Sequence, residues 1–312
     1  MTDPLDGLRD GIGHQHVVAA PRPAYAVRMT APEVLRYTAF SSRSDGGNPA
    51  GVVLDARGLD DAAMQSIASE IDFSETAFVT GETSDGALAV RYFSPIAEVP
   101  FCGHATVATA VALADRGRSD AGDTIRFATA AGPVAIALSR DGEGIRAAFT
   151  SIPPSVTELR AADLAAILRL LDLEPAALDP ELPPRMAHAG NPHPIVAIAA
   201  RDVFDAFRFS PDAARTLMDD RGWPATITVI HRAAPDRFIA RNLFPVGRIT
   251  EDPATGSAAA ALGAYLRELE VVPVPGRIMI EQGAHVGRPG LLTVDIPASG
   301  GIVVSGHAVP LE

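Results

Sequence analysis

The stretch Phe101-Cys102-Gly103-His104-Ala105-Thr106-Val107-Ala108-Thr109-Ala110 passes from a small-residue turn into an Ala- and Val-rich run, the layout of a helix with glycine at its mouth. A second mouth of this kind stands in the other half of the chain, Glu251-Asp252-Pro253-Ala254-Thr255-Gly256-Ser257, again followed by an Ala-rich run. Working outward, Arg91-Tyr92-Phe93-Ser94-Pro95 precedes the first and Arg241-Asn242-Leu243-Phe244-Pro245 precedes the second. Further upstream, Gly47-Asn48-Pro49 returns as Gly190-Asn191-Pro192. The matches keep one order in both halves, which indicates a duplicated unit.

Around these landmarks, short β-branched runs alternate with helical patterns. Gly51–Leu54, Ala77–Val79, Ala87–Phe93 and Val134–Leu138 read as strands. Asp61–Ile71, Thr106–Ala114 and Ala161–Leu171 read as helices. The spacing is too irregular for a βαβ repeat, and no G-x-G-x-x-G opens a helix after the first strand, which disfavours a nucleotide-binding parallel sheet. Residues 1–32 carry no periodicity and read as a flexible N-terminal extension; His14 and His16 there read as solvated rather than as metal ligands. Two prolines at Ser151-Ile152-Pro153-Pro154 mark a boundary. The expected organisation is an N-terminal lobe over 33–152, to which a last strand at about 301–312 returns, and a C-terminal lobe over 153–300. Trp223, beside Gly222 and Pro224, reads as a packing residue in a turn.

Composition narrows the chemistry. All 26 basic residues are Arg, so Schiff-base chemistry on Lys and a P-loop lysine are both ruled out. A single cysteine forms no internal disulfide and no Cys-rich zinc site. The formal charge of −12 opposes nucleic-acid phosphates, and no apolar run is long enough to cross a bilayer. The expectation is a cytoplasmic protein with neither nucleic acid nor membrane as partner. Carbon-acid chemistry would fall to carboxylates, His or Cys102.

Helix N-termini expose unpaired N–H groups and a partial positive charge, and so hold carboxylates and developing oxyanions. Two of them converging on a cleft would grip a small carboxylic acid. Ser74-Glu75-Thr76-Ala77-Phe78-Val79 sets a carboxylate just ahead of an apolar strand. Local sequence leaves two readings of Glu75: an exposed strand end, or a desolvated group poised as general acid/base.

The segments GGNPAGVVLDARGLDDAAMQSIASEIDFSETAFV, RYFSPIAEVPFCGHATVATAVAL, RNLFPVGRITEDPATGSAAAALGAYL and IEQGAHVGRPG together resemble the phenazine biosynthesis-like (PhzF-type) isomerase family from about Leu35 onward. The resemblance implies an α+β, diaminopimelate epimerase-like fold of two pseudo-symmetric lobes, each a curled β-sheet around a central helix. It implies Glu75, His104 and Asp252 as catalytic residues, with no metal and no cofactor. Substrate contacts would come from Ser74, Gly103, Gly256, Ser257, Asn48 and Asn191, and a homodimer is expected. His188-Ala189-Gly190-Asn191-Pro192-His193 is similar to a substrate-adjacent segment of the epimerases.

Cys102 remains ambiguous in this frame. Fold relatives that use two thiols place one at each helix mouth, but here Pro253 stands where the second would be. Three readings follow: a cofactor-independent isomerase of a small carboxylic acid working through Glu75; an amino-acid epimerase, racemase or hydroxyproline-type dehydratase with Cys102 as the base; and a ligand-binding protein without turnover.

Overall fold

The computed structural model describes residues 32–311 other than residue 248. The extension expected over 1–32 lies, except for Pro32, outside the described residues, as do His14 and His16. In the first lobe the chain runs through β1 (Leu35–Ala39), β2 (Asn48–Val53), α1 (Asp61–Ile71), β3 (Glu75–Glu82), β4 (Leu88–Phe93), β5 (Glu98–Val99), α2 (Gly103–Asp115), β6 (Thr124–Thr129), β7 (Gly132–Asp141) and β8 (Gly144–Thr150). The second lobe contains β9 (Ser155–Glu158), α3 (Ala161–Leu171), β10 (Arg185–His188), β11 (Pro192–Ala197), α4 (Arg201–Ala206), α5 (Pro211–Arg221), β12 (Ile227–Ala234), β13 (Arg237–Leu243), β14 (Glu251–Asp252), α6 (Gly256–Glu268), β15 (Gly276–Gln282) and β16 (Gly290–Ile296), and β17 (Val303–Pro310) follows.

Strand pairing repeats between the halves. β2 pairs β3 in parallel and β4 pairs β6 in parallel; β11 pairs β12 and β13 pairs β15 in the same sense. The remaining neighbours are antiparallel, giving β1-β2-β3-β4-β6-β7-β8 in one lobe and β9-β10-β11-β12-β13-β15-β16 in the other. β17 lies between them. It pairs with β16 on one edge, with β8 on the other, and through its last residues with β1, which closes the first lobe into a barrel. β9, which follows β8 in sequence, pairs with β10 of the second lobe. The chain thus crosses between the lobes twice, once between β8 and β9 and once at β17.

An Arg–Glu pair marks the same repeat. Arg91 on β4 meets Glu98 on β5 at 2.7 Å, with its guanidinium over Phe93. Arg241 on β13 meets Glu251 on β14 at 2.6 Å, with its guanidinium over Phe207. The first pair is partly exposed, and the second is buried against the end of α4, where Arg241 also bonds Phe204 O and Phe207 O.

One apolar core runs through both lobes around α2 and α6. His104 to Leu113 are all buried, as are Ala258 to Leu266. A helix enclosed on every side needs small or apolar residues all round rather than an amphipathic stripe, which explains the Ala, Val and Thr of α2 and the Ala, Gly and Leu of α6. A second cluster, including Ile167, Leu171, Phe204, Met218 and Trp223, packs α3–α5 on the outer face of the second sheet; Trp223 is thus a packing residue. α1 and α3 occupy the stretches expected from periodicity. α2 starts at Gly103, three residues earlier than expected from Thr106, because Gly and His give no helical signal and no side chain caps that end. Among the described residues no helix is long and apolar enough to cross a membrane.

Candidate active site

Side chains close two helix starts: Asp60 accepts from Ala63 N at 2.8 Å at α1, and Ser210 accepts from Ala213 N at 3.3 Å at α5. α3 and α4 start without a side-chain cap bond. So do α2 and α6, whose N-caps are Cys102 and Thr255; what distinguishes these two is that their mouths face each other. The first N–H of α2 with a helical acceptor is that of Thr106, and in α6 that of Ala259. The N–H groups before them stay available for a ligand.

The two mouths meet. A methyl placed on Gly103 would sit 3.7 Å from Gly256 Cα, and one on Gly256 would sit 2.9 Å from Phe149 Cζ. The approach thus depends on glycine more strictly at 256 than at 103, where the nearest Phe149 atom would be 3.4 Å away. Gly256→Ala is expected to destabilise by about 1–3 kcal/mol through overpacking, and Gly103→Ala to stay within about 0.5 kcal/mol of wild type. Denaturant unfolding of the two variants checks the contrast.

Glu75 opens β3 beside the α2 mouth. Its Oε2 lies 3.3 Å from Cys102 Sγ and 3.4 Å from His104 Nε2. Burial, followed by the charge of Asp252, pushes the carboxyl up to about 7, against a smaller lowering by the Cys102 hydrogen bond. Burial also pushes the His104 imidazole down to about 3 and keeps it neutral. Burial and then Glu75 hold the Cys102 thiol well above its ordinary range.

Asp252, on β14, comes from the other lobe. Its Oδ1 accepts from Asn48 Nδ2 at 2.7 Å and its Oδ2 from Thr255 Oγ1 at 2.6 Å. Burial raises it to about 6, opposed by those two bonds. Asn48 Nδ2 also reaches Ala254 O at 3.0 Å. Two acceptors around that atom fix the amide orientation. His104 Nδ1 lies 3.2 Å from the same Nδ2 and 3.3 Å from Cys102 Sγ, and its Nε2 faces Glu75. One asparagine of the first lobe thereby aligns the histidine of its own lobe and the aspartate of its neighbour.

Supporting bonds complete the second mouth. Gln282 Nε2 donates to Asp252 O at 2.7 Å and to Thr255 Oγ1 at 3.0 Å, while Thr255 N donates to Gln282 Oε1 at 3.2 Å. Ser257 Oγ lies 3.0 Å from Nε2 of the buried His193, whose Nδ1 rests 3.0 Å from Thr226 Oγ1. Sequence reasoning left Thr255, Gln282 and His193 out of the site, although each stands inside a stretch that carries the resemblance. Of the expected residues, Glu75, Cys102, His104, Asn48 and Asp252 are joined by direct contacts, and Gly103 and Gly256 form the facing mouths. Ser74 and Asn191 are half-buried beside Glu75 and at the head of β11, and neither bonds to the cluster.

Glu75, Cys102 and His104 each bring a donor atom within 4.8 Å of the others, close enough to ligate a cation. Ligation there would displace the thiol proton.

Two lobes of this topology, with enclosed helices meeting mouth to mouth, define the diaminopimelate epimerase-like class of folds. Within it, residues 37–312 match the model of the phenazine biosynthesis-like protein family, and the chain belongs to that family. An uncharacterised isomerase of Mesorhizobium japonicum is 35% identical over 294 residues, covering 88% of this chain and 95% of its own. The trans-2,3-dihydro-3-hydroxyanthranilate isomerase of Pseudomonas fluorescens is 31% identical over 256 residues, covering 81% and 86%. A crystal structure of a PhzF-family protein from Bacillus anthracis superimposes with a TM-score of 0.81 at 27% identity, covering 91% and 98%. The chain is accordingly an isomerase of the PhzF family.

Proposed function

We propose that this isomerase moves a proton between two carbons of a small unsaturated carboxylic acid, with Glu75 as the carrier and no cofactor. The observation that carries the reading is a carboxyl group poised near neutrality, about 7, beside two helix mouths that no side chain closes. The substrate carboxylate would rest on the free N–H groups of the mouths, Gly103 and Gly256 allowing close approach and Ser257 adding a hydroxyl. Glu75, ionised, takes a proton from carbon while the electron pair delocalises toward the bound carboxylate. The protonated Glu75 then returns that proton to a carbon further along the conjugated system, and the enzyme ends as it began.

His104 and Asp252 orient the substrate and the carrier. Neutral at working pH, His104 presents its ring beside the carrier without adding charge. Positioned acid/base catalysis contributes roughly 10²- to 10⁴-fold, and fixed N–H dipoles facing the developing oxyanion contribute further. Burial argues against the alternative with Cys102 as base, since a thiolate would sit beside two carboxyl groups, Glu75 and Asp252.

The reading is tested by incubating the protein in D₂O with a panel of small unsaturated carboxylic acids and following carbon-bound deuterium by NMR. The compound named for the Pseudomonas fluorescens relative is the first to try. Deuterium entering, or protium shifting, at a carbon conjugated to the carboxylate is the expected result. Acids that bind but show neither would overturn it.

A further inference from the structure

With Glu75 as carrier, the reaction leaves one neighbouring group unused, the Cys102 thiol. It is buried and stands at the N-cap of α2. Its Sγ donates to Glu75 Oε2 at 3.3 Å and lies 3.3 Å from His104 Nδ1, while the His104 ring packs with Nε2 3.4 Å from the same carboxyl oxygen. The thiol is therefore the one side chain that hydrogen-bonds the carboxyl among the described residues, and it does so at one oxygen. The other, Oε1, accepts no hydrogen bond among the described residues. It is not one of the sealed atoms without a partner, which are Asn48 Oδ1 and Thr76 Oγ1, and 14% of the Glu75 side chain stays accessible.

We propose that Cys102 is a positioning residue: its S–H, with the His104 ring packed beside it, pins Oε2 of Glu75, so that Oε1 alone takes and returns the substrate proton. The proposal rests on the reading of Glu75 given above. A carrier that lifts a proton from one carbon and delivers it to another must present the same atom at both moments, and an unpinned carboxyl would rotate between them. A thiol suits this position because it is a weak donor. It orients the carboxyl while leaving it basic enough to accept a proton from carbon. A hydroxyl in its place would donate more strongly and make Glu75 a weaker base.

The test needs no turnover. The side-chain carboxyl carbons are titrated by ¹³C NMR in ¹³C-Glu-labelled protein, with the Glu75 signal assigned by its loss in Glu75→Gln. The sign of the shift is decisive. If Cys102 donates as a thiol, Cys102→Ala removes a bond that favours the carboxylate, and the Glu75 midpoint rises by up to about one pH unit, tenfold in the protonation equilibrium. If Cys102 is a thiolate base, the same change removes a negative neighbour and the midpoint falls. Cys102→Ser should bring the midpoint back to the wild-type value or below it. A midpoint that is unmoved or lowered in Cys102→Ala, or a serine variant that titrates like the alanine one, overturns the proposal. Failure of the Glu75 reading would show separately, as persistent substrate exchange in Glu75→Gln.

Discussion

Glu75→Gln is expected to lower turnover by at least about 10³-fold while leaving carboxylate binding near the wild-type level, because the amide keeps the shape of the carrier and cannot move its proton. Isotope exchange and ligand titration on the same variant check both halves. The substitution should also stabilise the protein, in a pH-dependent way. Glu75 titrates at about 7 in the folded chain against an ordinary 4.5. Below about pH 4.5 the folded and unfolded chains both carry the proton, and the group costs nothing. As pH rises toward 7 the unfolded chain ionises first and stability falls; above 7 the loss is complete, about 3 kcal/mol. Gln escapes this loss. The variant should therefore be more stable than wild type at pH 8 and nearly equal to it near pH 4.5, as measured by denaturant unfolding at the two pH values. Equal stability at pH 8 would mean that the carboxylate is not held at a cost.

Glu251→Ala should destabilise by about 3–5 kcal/mol, by stranding a buried cation. Its partner Arg241 is 5% exposed and Glu251 7%. The guanidinium is fixed on both carboxylate oxygens, on Phe204 O and Phe207 O, and 3.6 Å above the Phe207 ring. Removing the carboxylate leaves a buried cation with only carbonyl and ring contacts. Since about 1 kcal/mol moves the melting temperature of a sizeable domain by about 2–4 °C, thermal unfolding should drop by about 10 °C. Activity should fall as well, because the neighbouring residue on β14 is Asp252. Glu98→Ala, in the exposed counterpart, should cost no more than about 1 kcal/mol. Similar losses in the two variants would refute the distinction.

Parts of this molecule lie in plain view of its sequence. α1 follows a clear apolar period behind Asp60, and both helix mouths are spelled out by small residues next to Cys102 and Asp252. The duplication shows because Asn-Pro and Arg-aromatic landmarks come twice in order. What stayed hidden was partnership at a distance. Asn48 and Asp252 are 204 positions apart, and nothing in either segment reveals that one amide orients both the imidazole and the carboxyl. Gln282 and His193 act through side-chain bonds across strands, which no local period records. The start of α2 is hidden for a physical reason: its first residues, Gly103 and His104, are weak helix formers, and no side-chain cap marks that end.

β17 touches both halves, and its consequence reaches back to biosynthesis. While a nascent chain is still emerging, the first barrel lacks a wall, since residues 303–310 have not been made, and β9 already belongs to its sibling. Neither half can be finished ahead of the other. Long-range closure of this kind is slow and leaves edges bare until late, so the two helix mouths come to face each other only as the whole molecule locks.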